Sequence, residues 1–121
     1  MIEYTVKVYS NGDKSWWLSG KLHRTDGPAI EYASGSKEWW LNGNRHREDG
    51  PAVECANGNK SWYLNDKLHR TDGPATEYVN GDKLWYLNGK EVTEQEVMSP
   101  TKELTIADIE KLLGHKVKVV K

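Results

Sequence analysis

His23-Arg24, His46-Arg47 and His69-Arg70 recur at intervals of 23 residues, and each pair is followed by x-Asp-Gly-Pro-Ala. Histidine is the common metal ligand and general base, and arginine is the fork that grips carboxylates and phosphates. Repetition argues against metal and base. If each unit adds a hairpin to a sheet, equivalent residues lie two strands apart, about 9–10 Å. A zinc ion needs every ligand within about 2.3 Å, and no cysteine or second histidine neighbours any of the three pairs to complete a site. A general base needs one pocket with one matched partner, whereas this pair stands three times in equivalent contexts. No catalytic residue, metal site or cofactor is therefore expected. Two readings of the motif remain. In the first, Asp26, Asp49 and Asp72 accept backbone N–H groups in Asx-type turns, the arginines pair with acids of their own or a neighbouring unit, and each imidazole packs across the repeat junction. In the second, His23, Arg24, His46, Arg47, His69 and Arg70 form a ladder beside aromatic faces and hold a flat anionic ligand, such as a nucleotide.

The aromatic residues keep the same period. Trp16, Trp39, Trp62 and Trp85 are each 23 residues apart, and each precedes a second aromatic: Trp17, Trp40, Tyr63 or Tyr86. Neighbouring residues of a strand point to opposite faces, so two stripes are expected. Trp16, Trp39, Trp62 and Trp85 share one face with Leu18, Leu41, Leu64 and Leu87, which reads as the core side. Trp17, Trp40, Tyr63 and Tyr86 form the amphipathic stripe on the other face, as structure or as a surface for a ligand or partner.

The elements that position these residues follow from the units 9–31, 32–54, 55–77 and the truncated 78–90. Self-similarity at one period of this size marks a repeat architecture. Asn-Gly, or Ser34-Gly35, opens each unit, and Ser19-Gly20, Asn42-Gly43, Asn65-Asp66 and Asn88-Gly89 follow the aromatic run. Both places supply residues that tolerate positive φ, as two-residue type I′ hairpins require. Runs such as Lys37-Glu38-Trp39-Trp40-Leu41 read as strands by composition. Asp-Gly-Pro forces a bend, and Ala52-Val53-Glu54-Cys55 reads as the returning strand. The expected fold is mostly β: tandem hairpins forming an elongated twisted antiparallel sheet over residues 1–90, with a helical and strand cap over 91–121. Within the cap, Thr93-Glu94-Gln95-Glu96 matches a capping box for a short helix through Met98. A second helix with Ile106, Ile109, Leu112 and Leu113 on its apolar side, Gly114 as its C-cap and a final strand over 115–120 complete it. The alternative for this segment is a separate docking element.

Composition narrows the class. Hydrophobic residues are 36% of the 121, Phe is absent, and six Trp and six Tyr must supply most of the apolar area. Charged residues nearly cancel at a net −1, which gives no electrostatic footprint for generic nucleic-acid or membrane binding. Cys55 is the sole cysteine, so no intrachain disulfide forms and a reducing, cytoplasmic setting is expected. It replaces the tyrosine of positions 32 and 78 and is expected to be a small buried or half-buried apolar residue. The start of the chain alternates like a strand and lacks the pattern of a signal peptide, and no apolar run approaches a membrane span.

The unit Gly-x-Lys-x-Trp-[Trp/Tyr]-Leu-Asn-Gly-x-x-His-Arg-x-Asp-Gly-Pro-Ala stands at 12–29, 35–52 and 58–75, and in truncated form at 81–89. It resembles MORN-variant repeats of the type found in large-bacteriophage and giant-virus proteins, and the ending over 109–121 is similar to the tail of such proteins. The resemblance implies an elongated β-sheet, life in the cytoplasm of an infected host, and a binding role without catalytic residues. Asp66 departs from the glycine usual at the second turn, which puts that hairpin's geometry in question. Two functions are expected to compete. One is a non-enzymatic module that binds a host or viral protein. The other is a protein that sequesters a nucleotide-type immune signal to counter host defence. Edge strands at the ends of the array leave room for self-association into a homo-oligomer.

Overall fold

The computed structural model describes residues 3–98, so the second helix and final strand expected in the cap lie outside the described residues. The described chain is mostly β, as the repeat implies. Tyr4–Val8 pairs with Lys14–Leu18, which pairs in turn with Ile30–Glu31. From there two-residue strands alternate antiparallel: Lys37–Glu38, Val53–Glu54, Lys60–Ser61, Thr76–Glu77 and Lys83–Leu84. Each unit thus adds two strands to one continuous sheet.

A second row of hairpins runs alongside. Trp40–Leu41 pairs with Asn44–Arg45, Tyr63–Leu64 with Lys67–Leu68, and Tyr86–Leu87 with Lys90–Glu91. The expected single strand over 37–41 is therefore interrupted at Trp39. The Trp39 N–H donates to Ala52 O at 2.7 Å, while its carbonyl accepts from the His46 N–H at 3.1 Å. One side of the residue belongs to the strand arriving from the polar loop and the other to the local hairpin, so Trp39 hands the chain from one row to the next. Trp16 has the same two kinds of partner, but its run stays continuous because Tyr4–Val8 pairs along the whole of 14–18.

The two turns of a unit differ, contrary to the expectation of type I′ at both. At the second turn, Asn42 and Gly43 both have positive φ, 50° and 80°, as type I′ requires. Asp66 takes a φ of 67° in the place of the usual glycine, so the third unit keeps the same hairpin. At the opening turn only the glycine is left-handed: Gly12 has a φ of 98°, and its N–H donates to Tyr9 O while the Tyr9 N–H donates to Asp13 O. That is a three-residue loop, a type I turn closed by a glycine bulge.

Cross-strand neighbours also alternate in charge. Lys14 stands opposite Glu31, Glu31 opposite Lys37, Lys37 opposite Glu54, Glu54 opposite Lys60, Lys60 opposite Glu77 and Glu77 opposite Lys83. The signs alternate without a break along one face. A slip of one residue would turn every member to the opposite face.

Successive units are tied at both ends. At the opening turns, Asp13 Oδ1 accepts the Ala33 N–H at 2.7 Å, Ser36 Oγ that of Ala56 at 2.8 Å, and Asn59 Oδ1 that of Val79 at 2.9 Å. At the second turns, Gly43 N–H donates to Leu22 O, Asp66 N–H to Arg45 O and Gly89 N–H to Leu68 O. Ala29, Ala52 and Ala75 are fully buried, and among the described residues no large side chain is. The face carrying Trp16, Trp39 and Trp62 is thus no conventional core side among the described residues, where these rings stay half-buried. Cys55 is exposed, not half-buried; it opens a surface turn with the same backbone bonds as Tyr32, but its short side chain has no hydroxyl to reach across the sheet. Tyr32, at the same place, reaches inward, and its hydroxyl donates to Glu38 Oε2 at 2.7 Å.

The array ends in a short helix, Glu94–Met98, capped by Thr93, whose Oγ1 accepts the Glu96 N–H at 3.1 Å. Val97 on this helix is buried. No helix among the described residues is long and apolar enough to cross a membrane.

The alternating ladder makes a direct prediction. Lys37→Glu places an acid between Glu31 and Glu54 and should lower stability by roughly 1 kcal/mol, an effect that shrinks as salt rises. Urea denaturation at low and high salt measures it, and no loss at low salt would refute the ladder's role.

Candidate functional site

Each polar loop begins and ends on one tryptophan. His23 N–H donates to Trp16 O at 3.0 Å, and Trp16 N–H donates to Ala29 O at 2.8 Å. Residues 24–28 are the excursion between those two bonds. The same pattern holds for Trp39 with His46 and Ala52, and for Trp62 with His69 and Ala75.

The arginine of the loop then folds back over the ring it left. The guanidinium carbons of Arg24, Arg47 and Arg70 lie 3.9, 3.8 and 3.7 Å from the ring centroids of Trp16, Trp39 and Trp62. Their Nε atoms donate to Asp26, Asp49 and Asp72 at 2.7–3.0 Å. Their Nη1 atoms donate to Pro28, Pro51 and Pro74 carbonyls at 3.0–3.1 Å. Glu31, Glu54 and Glu77 lie 3.9, 3.4 and 3.1 Å from the same Nη1 atoms. The loop glycine closes the other side. A Cβ on Gly27, Gly50 or Gly73 would come 3.1, 2.9 or 2.6 Å from the guanidinium carbon. The aspartates thus hold the arginines of their own units through side-chain pairs, in place of the Asx turns expected of them.

The histidines act between units. Nδ1 of His23, His46 and His69 accepts the backbone N–H of Asn42, Asn65 and Asn88 at 2.9–3.0 Å. An accepting Nδ1 places the ring proton on Nε2. The following turn thus donates one N–H to an imidazole and the next to the backbone of the preceding unit. His and Arg stand side by side in sequence yet hold different junctions. Among the described residues, no three His, Cys, Asp or Glu side chains converge as metal ligands.

The second stripe lies on the opposite face and is half-buried. Lys7 Nζ stands 4.2 Å from the Trp17 ring, and Arg45 reaches both Trp40 and Tyr63, at 4.8 and 5.5 Å. Trp17 Nε1 donates to Ser15 Oγ at 2.8 Å and Trp40 Nε1 to Glu38 Oε1 at 3.1 Å. Tyr86 donates to Glu91 at 3.1 Å, and that bond raises its phenol pKa. Burial and the Glu38 bond push the Tyr32 phenol up to about 12.

Open grooves lie between successive polar loops on the Trp16 face. One, about 630 Å³, has Trp39 and Leu41 with the loops at 24–27 and 46–49 as walls. Its equivalent, about 460 Å³, has Trp62 and Leu64 between the loops at 47–50 and 69–72. A third, about 290 Å³, has Trp16 between Tyr4, Val6 and the loop at 24–26. His46, Arg47, His69, Arg70 and Arg24 all line these grooves, whereas Trp17, Trp40, Tyr63 and Tyr86 do not. Nine of the ten expected site residues are thus divided between the grooves and the opposite stripe, and His23 lines none of the three grooves. Thr25, Glu48 and Thr71 also line the grooves and were not singled out by sequence. Their signal was present: they fill the one variable position of His-Arg-x-Asp-Gly-Pro-Ala.

The hydrogen bond from Arg24, then its charge, holds the Asp26 carboxyl below 3.8, and the bond from Arg70 does the same for Asp72. A folded-state value below the unfolded one stabilises above that unfolded value and is lost as pH falls through the folded value. Wild type should therefore lose thermal stability as pH drops below 3.8. A chain with Asp26→Asn and Asp72→Asn should start lower at neutral pH and lose less over that window. Melting followed by tryptophan fluorescence tests this, and parallel curves would refute the assignment.

Comparison of the chain with protein-family models and with curated proteins finds no match.

Proposed function

We propose that this chain is a non-enzymatic binding module whose repeated groove face docks another protein. The observation that carries this reading is the set of equivalent open grooves, recurring 23 residues apart and sharing loops as walls. A concave, half-apolar surface repeated in register suits an extended multivalent contact. The resemblance to bacteriophage and giant-virus repeats makes the partner a host or viral protein met in the host cytoplasm. The arginines that a sequestered nucleotide would need are already bonded to aspartate, glutamate and proline carbonyls of their own loops. The exposed charges at the rims are carboxylates: Asp26, Glu48 and Asp72 side chains are 83% exposed and Asp49 88%. An anionic ligand would approach against them.

The test compares wild type with a variant carrying Thr25→Arg, Glu48→Lys and Thr71→Arg, which alters the rims and leaves the arginine–tryptophan pairs in place. Quantitative affinity enrichment from host lysate should recover at least one protein with wild type and lose it with the variant. Calorimetry against cyclic and ADP-ribose-type nucleotides should give no heat. Nucleotide heat together with an empty enrichment would overturn the reading in favour of a sequestering protein.

A further inference from the structure

We infer that the grooves accept one extended, basic peptide in the polyproline II conformation, with every third side chain entering a successive groove. This rests on the protein-binding reading above and names the partner's chemistry.

The first argument is spacing. The loop at 24–26 is a wall of both the Trp16 and Trp39 grooves, and the loop at 47–49 is a wall of both the Trp39 and Trp62 grooves. The grooves therefore form a row across the strands. Each unit adds two strands to the sheet, and strands lie 4.7–4.9 Å apart, so the row repeats about every 9.5 Å. Polyproline II has three residues per turn at 3.1 Å each, about 9.3 Å, and returns every third side chain to one side. A β-strand covers a similar distance in three residues but presents the third to the opposite face. An α-helix rises only about 9 Å over six residues, and its sixth side chain points well away from the first.

The second argument is charge and shape. Each full groove has a tryptophan and a leucine along its floor, Trp39 with Leu41 and Trp62 with Leu64. Its rim carries carboxylates at least 83% exposed, while the Arg24, Arg47 and Arg70 side chains are only 21, 22 and 18% exposed. A lysine or arginine of the partner fits this profile. Its aliphatic stem covers the apolar floor and its charged head meets the carboxylates at the mouth. Glu48 borders both full grooves. It is held by His46 Nε2 at 3.4 Å and by no arginine, and its side chain is 83% exposed, so its outer face sets the preference for a cation in the middle of the row.

The experiment titrates the full chain into two fluorescent peptides of equal composition and charge. One has four Lys-Pro-Pro triplets, and the other has its four lysines two residues apart. Anisotropy should show the triplet peptide binding at least about tenfold tighter, a gap of roughly 1.4 kcal/mol, and Glu48→Lys should erase that preference. Equal affinity for both spacings would reduce the contact to unspecific charge attraction and overturn the inference. No binding of either peptide, alongside a partner recovered by enrichment and lost with the rim variant, would also overturn it while the protein-binding reading stands. An empty enrichment together with nucleotide heat would remove that reading itself. A pH 7 melt of the Glu48→Lys chain matching wild type shows that its effect is on binding and not on folding.

Discussion

The fold depends on an arginine held between a tryptophan ring and a glycine. In each full unit the guanidinium lies under 4 Å from the ring centroid, with aspartate and proline carbonyl oxygens bonded to it. A cation over an aromatic face is worth about 0.5–2 kcal/mol according to exposure. Here the pair does more than add that increment. It covers one face of each tryptophan ring with a side chain of the same unit. The glycine of Asp-Gly-Pro is required because a Cβ there would collide with the guanidinium, as at Gly73, where it would stand 2.6 Å from the Arg70 carbon.

Around that contact the chain couples its units without a hydrophobic core of the usual kind. The fully buried side chains of the repeats are alanines, which fit because they sit where the loop returns to the tryptophan backbone. Continuity from unit to unit comes from polar ties at each end of the strands and from the alternating lysine–glutamate ladder. The histidine ring belongs to this coupling. By accepting the N–H of the first residue of the next hairpin turn, it fixes where that hairpin sits. Such nearest-neighbour ties make the array a quasi-one-dimensional solid, in which the groove spacing follows from the strand spacing.

Much of this was legible in the sequence, and the rest was not for definite reasons. The period of 23, the strands, the separation of Trp16 from Trp17 onto opposite faces and the Thr93 cap all follow from local rules that the structure obeys. The Asn11-Gly12 and Asn42-Gly43 turns look alike in sequence, yet only the second is type I′. Both dipeptides allow positive φ, and the difference lies in which strands they must join. The break at Trp39 was hidden because a strand pattern cannot reveal whether a neighbour pairs along the whole run, as Tyr4–Val8 does along 14–18. Cys55 departs from the usual burial of a free cysteine, because at this turn the inward reach of Tyr32 depends on a hydroxyl bonded to Glu38. The destination of the arginines was left open because an arginine near aromatics serves a ligand and a loop equally well. The eight-residue separation of Trp16 from Arg24 becomes informative only once the hairpin between them is known.

The arginine–tryptophan pair acts as one coupled unit. A double-mutant cycle in the second repeat measures it, with Trp39→Leu, Arg47→Met and both together, each followed by urea denaturation. A stabilising coupling of about 1 kcal/mol or more is the predicted result. Strictly additive losses would show that ring and guanidinium are neighbours without mutual support, and would contradict a fold that depends on their contact.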